Sequence, residues 1–227
     1  MWRALYTTSV SVVALAAVGV TAFIAFPTQA DLELQSPLVA WHPQEPLQKE
    51  YSQDFSALRA GFTPQQYRSF CGPASIATIV KAYGSGPADQ LELLPSISEK
   101  IRTFYTGMSL SRLAALAESA GMSTELVYAD SLDVSAFRER LKENMQQAGN
   151  FVVINYDRRV LNQAGAGHIS AIGAYDPERD AFLILDEASF KYPFTWVPTD
   201  LLYAAARTKA GSHYRGILII HEHRDRG

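Results

Sequence analysis

The sequence predicts an α+β fold in which helices come first and an antiparallel sheet follows. Three observations carry that expectation. Up to Met145 the apolar residues recur at helical spacing: Leu110, Leu113, Leu116 and Ala117 share one face, and Phe137, Leu141 and Met145 return every fourth residue. From Phe151 the period changes, and Phe151 to Tyr156 and His168 to Tyr175 are runs of β-branched and aromatic residues. Third, residues 176–180 (Asp-Pro-Glu-Arg-Asp) form a turn, so Ala181 to Asp186 reads as the return strand of a hairpin with the His168 run.

Taken in order, residues 31–61 read as an extended linker or arm, because Pro37, Pro43 and Pro46 disfavour regular structure. Cys71 stands directly before a helix. Pro73 suits the first turn, where no amide donor is needed, while Ala74, Ile76, Ala77 and Val80 suit a buried helix and Gly84 its stop. Residues 88–105 read as short helical pieces. Ser109 caps the next helix, which Gly121 ends. Leu126 to Tyr128 is a short strand. Ser131 or Asp133 opens the helix of Phe137, which Gly149 ends. Residues 199–207 form a further helix, and Gly216 to Ile220 closes the chain as a strand.

The 227 residues, 48% hydrophobic and 19% charged, suffice for one well-buried domain, with room for two lobes. A net charge of -3 leaves no basic footprint for nucleic acid. Arg3 precedes an uncharged apolar run from Leu5 to Phe26, so residues 1–30 read as a signal peptide or membrane anchor. Either places the rest of the chain outside the cytoplasm, exported, periplasmic or anchored, with membrane contact only through this segment. A single cysteine forms no internal bridge, so its role lies elsewhere.

Two readings of Cys71 stand side by side: a small buried apolar residue, or a nucleophile at the positive end of a helix. A nucleophile needs an imidazole, an orienting group for that imidazole, and oxyanion donors. His168, behind the small residues Gly165, Ala166 and Gly167, supplies the first. Asp186, at the end of the paired strand, supplies the second and would hold an imidazolium that keeps Cys71 as thiolate. Gln65, six positions before the cysteine, is a candidate oxyanion donor. His221-Glu222-His223 reads as a solvated terminus rather than a metal site.

These segments resemble the phytochelatin synthases. The nucleophile motif is residues 70–75 (Phe-Cys-Gly-Pro-Ala-Ser). The histidine segment spans Asn155 to Arg159, Gln163, and Gly167 to Ser170. The aspartate segment runs from Leu185 to Pro193, followed by Trp196-Val197-Pro198. The match runs from about Gln65 to Ile220, placing a catalytic domain over residues 62–223, and it looks like the short prokaryotic form. The resemblance implies a papain-like fold with Cys71, His168 and Asp186 as triad and Gln65 at the oxyanion site. It implies glutathione as substrate: glycine is expelled, and a γ-glutamylcysteinyl thioester passes to a second glutathione or to water. No tightly bound cofactor is implied; cadmium or zinc enters as a metal–glutathione thiolate. Arg158 and Arg215 match family positions and suit the γ-glutamyl carboxylate, with Asn155, Gly167 and Tyr192 in the same pocket. A homodimer is compatible with this reading. Ser189 stands where the family often has a basic residue tied to the second substrate, which tilts the expectation toward hydrolysis. Two other readings stay open: a papain-like leader peptidase, and an exported thiol- or metal-binding protein without activity.

Overall fold

The computed structural model describes residues 40–41, 54–85 and 88–222. The signal or anchor segment over residues 1–30, and most of the linker over 31–61, lie outside the described residues. Two pieces of that lead-in are described, and both are regular. Ala40–Trp41 is a short strand, β1, and Phe55–Gly61 is a helix, α1. The expectation of an extended arm is therefore corrected over residues 55–61. Helix α1 buries Leu58, and Gly61 lies so close to the next helix that a Cβ there would sit 2.6 Å from the Thr78 carbonyl oxygen.

That next helix, α2, is Cys71–Ala82 and starts at the cysteine itself. Cys71 through Ile79 are all buried, which explains why the sequence shows no polar face here. Gly84, at φ +70°, takes the left-handed conformation just past its end. Helix α3 is Ile97–Thr106, with the Ser96 hydroxyl accepting from the Glu99 N–H. Helix α4 is Leu110–Ser119, capped by Ser109 as the pattern predicts. Strand β2 is Met122–Tyr128, longer than Leu126–Tyr128 because it pairs with the closing strand along its whole length. Of the two candidate caps, Asp133 opens α5, Val134–Met145, with its carboxylate accepting from the Ala136 N–H at 2.8 Å.

The sheet then builds from β3 (Asn150–Asp157), β4 (Gly167–Asp176), β5 (Ala181–Leu185) and β6 (Thr195–Pro198). Helix α6 (Thr199–Ala206) and a small hairpin of β7 (Lys209–Ala210) and β8 (His213–Tyr214) lead to β9, Gly216–Glu222. The strand order is β1-β6-β5-β4-β3-β9-β2, and every pairing is antiparallel. The α+β class and the β4–β5 hairpin match the expectation. The segregation does not hold fully, since β2 precedes α5 and α6 interrupts the strands. β1 and β6 escaped the sequence reading because a two-residue strand and a Thr-Trp-Val-Pro tetrapeptide carry no measurable period.

Both faces of the central strands are covered. β3 packs on α5 and α6, and β4 on α1 and α2, so these strands read as continuous apolar runs rather than alternating ones. Each fully buried Ile or Leu, such as Ile154, Leu183 and Leu218, contributes on the order of 1.5–3 kcal/mol. Among the described residues no helix is long and apolar enough to cross a membrane.

The antiparallel register decides where chemistry can sit. Tyr156 on β3 faces His168 on β4, Ala171 on β4 faces Leu185 on β5, and Asn155 on β3 faces Gly216 on β9. The ends of β3 and β5 and the starts of β4 and β9 therefore share one end of the sheet. Helix α2 packs on β4, and its N-terminus opens at that same end.

Candidate active site

Cys71 and His168 line one cleft of about 360 Å³. Helix α2 delivers the thiol from its first residue, and β4 delivers the imidazole from its second. His168 Nε2 lies 3.0 Å from Asp186 Oδ1. The ring N–H is off the line of an aligned hydrogen bond, so the contact is mainly electrostatic. With Nε2 turned to the carboxylate, Nδ1 is the nitrogen left for the cleft. The thiol and the ring make no hydrogen bond with each other among the described residues; they meet across the cleft. The Tyr156 ring stands edge-on to His168 at 5.7 Å between centroids and limits its rotation.

The electrostatics differ from the expected ion pair. Burial pushes the Cys71 thiol up to about 11, and the nearby Glu187 adds to this. The Ile169 and Gly72 N–H groups and Arg158 oppose the rise. Burial and the positive Arg158 together press His168 down to about 4, against the pull of Asp186. Both groups are therefore driven toward neutrality, where the sequence leads one to expect a resting thiolate–imidazolium pair. The helix end and the Ile169 N–H favour the anion, but burial outweighs them. A neutral imidazole with a free Nδ1 is instead a base positioned to take the thiol proton.

Arg158 is the largest departure. It is 2% exposed, and its Nη2 lies 2.7 Å from Asp186 Oδ1 and 2.6 Å from Oδ2. Its Nη1 donates to Gln163 at 3.1 Å. Burial disfavours a charged Asp186, yet Arg158 and His168 hold its carboxyl far below the usual range. Arg158 thus acts as the counter-ion of Asp186 while also lining a smaller cleft beside the site, where the sequence leads one to expect it on a substrate carboxylate. Tyr192 is likewise a support: it is buried, lines neither cleft, accepts the Ala164 N–H at 2.6 Å and stacks under Arg158 at 4.9 Å. Gln65 lies at the site, but its amide nitrogen donates to the Tyr67 and Arg68 carbonyls at 2.9 and 3.0 Å. Reversing the amide would set its oxygen against both carbonyls, so its NH₂ is committed and faces no oxyanion. The Cys71 N–H, first in α2, has no acceptor among the described residues and stands as the better donor.

Arg215, Asn155 and Gly167 do line the cleft with Cys71. Arg215 Nη1 donates to the Thr208 hydroxyl at 2.8 Å and the Lys209 carbonyl at 2.6 Å, while its buried Nε has no partner. A Cβ on Gly167 would come within 2.8 Å of Arg215 Nη2, so glycine is what lets the guanidinium reach past β4. A smaller cleft of about 130 Å³ adjoins the first at Arg68, Gly167 and His168. It contains Lys191, whose ammonium has no acceptor among the described residues and is made easier to deprotonate by burial and by Arg158 and Arg68. Ser189 is exposed and lines neither cleft. Arg68 and Met108 carry no spacing that flags them in the sequence, and Glu187 and Lys191 stand there only as parts of the aspartate segment, without a role. His221 binds Asn150 at 2.7 Å at the far end of the sheet, and His223 lies outside the described residues.

A phytochelatin synthase family model matches residues 29–217. The chain is 31% identical over 201 residues to glutathione gamma-glutamylcysteinyltransferase 2 of Arabidopsis thaliana, covering 81% of this chain and 43% of that protein. It is also 31% identical over 201 residues to glutathione gamma-glutamylcysteinyltransferase 1 of the same plant, covering 40% of it. A glutathione gamma-glutamylcysteinyltransferase of Schizosaccharomyces pombe is 26% identical over 188 residues, 45% of its length. The chain thus spans less than half the length of these relatives. With the family model matching most of its length, the chain belongs to the phytochelatin synthase family.

Proposed function

We propose that this protein is a glutathione γ-glutamylcysteinyltransferase working through a thioester on Cys71, on a papain-like fold. The observation that carries the reading is a single cleft lined by the thiol and imidazole together with Arg215, whose guanidinium faces Asp157 at 3.9 Å and whose Nε has no hydrogen-bond partner among the described residues. Its volume of about 360 Å³ falls in the range of small-molecule sites. The names of the relatives supply the substrate.

In the first half-reaction His168 Nδ1 takes the Cys71 proton as the sulfur attacks the carbonyl carbon of the Cys-Gly amide. The new oxyanion forms beside the Cys71 N–H at the start of α2. The imidazolium, charge-balanced by Asp186, then returns its proton to the amide nitrogen as the C–N bond breaks. Glycine leaves, and a γ-glutamylcysteinyl thioester remains. In the second half-reaction the α-amine of another glutathione, or water, attacks the thioester and regenerates the thiol. Cadmium or zinc takes part as a glutathione thiolate, that is, as part of the substrate. Lys191 and Arg68 keep the adjoining cleft cationic although Ser189 is not basic, so the acyl group partitions between glutathione and water. We also propose export, with residues 1–30 as signal or anchor.

Incubation with glutathione, with and without cadmium or zinc, followed by mass analysis tests this. Free glycine with γ-glutamylcysteine or (γ-Glu-Cys)₂-Gly is expected; intact glutathione under all conditions overturns it. Arg215 gives a sharper check. Its guanidinium edge suits the γ-glutamyl α-carboxylate, and a charge-assisted pair contributes roughly 1.5–3 kcal/mol. Arg215→Lys, which keeps the charge and loses the fork, is expected to raise KM for glutathione about tenfold or more while kcat changes little. A fall in kcat at constant KM would remove Arg215 from substrate binding.

A further inference from the structure

Glu187 is a carboxyl that the chemistry above does not use. It is fully buried, one residue past Asp186. Its Oε1 accepts from the Ser75 hydroxyl at 2.9 Å and from the Ala171 N–H at 3.2 Å. Ser75 lies one helical turn after Cys71 on α2, and its hydroxyl also reaches the Cys71 carbonyl at 2.9 Å. Ala171 lies three residues after His168 on β4. One side chain therefore ties the nucleophile's helix to the base's strand, from the segment that carries the acid.

Glu187 has no basic partner to balance a charge. Among the described residues no Lys, Arg or His forms an ion pair with it, and the Arg158 guanidinium is bound to Asp186. Its Oε2 is buried without a partner, and so is the Ser170 hydroxyl on the neighbouring strand. The Ser170 hydroxyl carries a proton of its own, so it can serve either form of the carboxyl, and the choice falls to charge and burial. A second bare carboxylate here would be a buried, uncompensated charge.

We propose that Glu187 is a positioning residue that works in its protonated form, clamping α2 to β4, and that its ionisation disfavours the Cys71 thiolate. The titratable groups facing it are Asp186 from its own segment, Cys71 on α2 and Tyr156 at the end of β3, with the Ser75 and Ser170 hydroxyls beside it on α2 and β4. Burial, with Asp186 adding to it, pushes the Glu187 carboxyl up to about 8, against the pull of Ser170 and Ser75. Below that pH the carboxyl is neutral, and of the charged groups acting on the sulfur only Arg158 remains. Above it, a negative charge faces the sulfur.

The proposal rests on the reading of Cys71 as nucleophile, but its test does not depend on glutathione. Cys71 is the only cysteine, so iodoacetamide uptake reports on it alone. Glu187→Gln mimics the neutral acid in shape and cannot ionise. The ratio of the variant's alkylation rate to that of the wild type is expected to grow threefold or more between about pH 6.5 and about pH 9.5. A ratio constant across that range overturns the proposal. Unfolding gives a second readout. Between about pH 4 and about pH 8 the folded wild type keeps a proton that the unfolded chain has released, so its stability falls as pH rises. The variant's melting temperature is therefore expected to gain on the wild type across that interval, and parallel curves count against the proposal. If the Gln variant does not fold, infrared spectroscopy of the wild type decides: a carboxylic-acid C=O band at about pH 6.5 that is gone by about pH 9.5 supports the neutral acid, and its absence at both overturns it.

Discussion

Cys71→Ser is expected to lower glycine release from glutathione by about 10⁴-fold while leaving the fold intact. The expectation follows from proton affinity. His168, pressed to about 4 by burial and by Arg158, is a weak base. A thiol can still give up its proton to it, because the sulfur anion is met by the Ile169 and Gly72 N–H groups and by the end of α2. A serine hydroxyl binds its proton several units more tightly than a thiol, and the same base cannot remove it. The variant should fold, because Ser75 and Thr78 are already accommodated as buried hydroxyls on the same helix. Thermal melting and trapping of the acyl-enzyme by mass spectrometry check the two halves. A γ-glutamylcysteinyl adduct on the wild type that is absent from the variant is the expected pair of results. Substantial turnover by a folded Cys71→Ser protein would mean that the reaction does not pass through a thioester.

Much of this site was legible in the sequence because its parts mark element boundaries. Cys71 opens a helix, His168 opens a strand and Asp186 ends one, and the hairpin that joins the last two is local. The turn at residues 176–180 was enough to bring the imidazole and the carboxylate together. What stayed hidden depends on competition between partners. Arg158 had a carboxylate from substrate or one from Asp186 to choose from, and only the register of β3, β4 and β5 decides for Asp186. Gln65 carries an amide that fits an oxyanion role by type, yet the turn at Tyr67 and Arg68 presents two carbonyls that claim its NH₂ first. Glu187 is the extreme case. An acid after an apolar strand reads as a turn residue, and nothing local says that α2 covers it. Burial of the whole cluster, which sets the protonation of Cys71, His168 and Glu187, is a property of the assembled layers rather than of any segment.

Arg158→Met should be the most destabilising single change at this site, by about 3–5 kcal/mol near neutral pH. The pair it breaks is almost wholly buried, with the two side chains 3% and 2% exposed. Methionine fills much of the space over the Tyr192 ring but leaves Asp186 with only the Ala188 N–H and His168 as partners. The penalty should depend on pH in a defined sense. In the wild type the Asp186 carboxyl is held well below its unfolded value, so its stabilising share is present above about pH 4 and is lost as pH falls further. Without Arg158 the carboxyl protonates more readily, so the gap between variant and wild type is expected to narrow as acid is added. Urea unfolding at about pH 7 and about pH 4 measures it. The double variant Arg158→Met with Asp186→Asn removes the stranded charge and should be more stable than the single change. Its activity should not return, because His168 then lacks the carboxylate that balances its positive form. If Arg158→Met instead leaves stability within about 1 kcal/mol of the wild type and raises KM for glutathione, the guanidinium serves the substrate after all, and Asp186 is balanced by His168 alone.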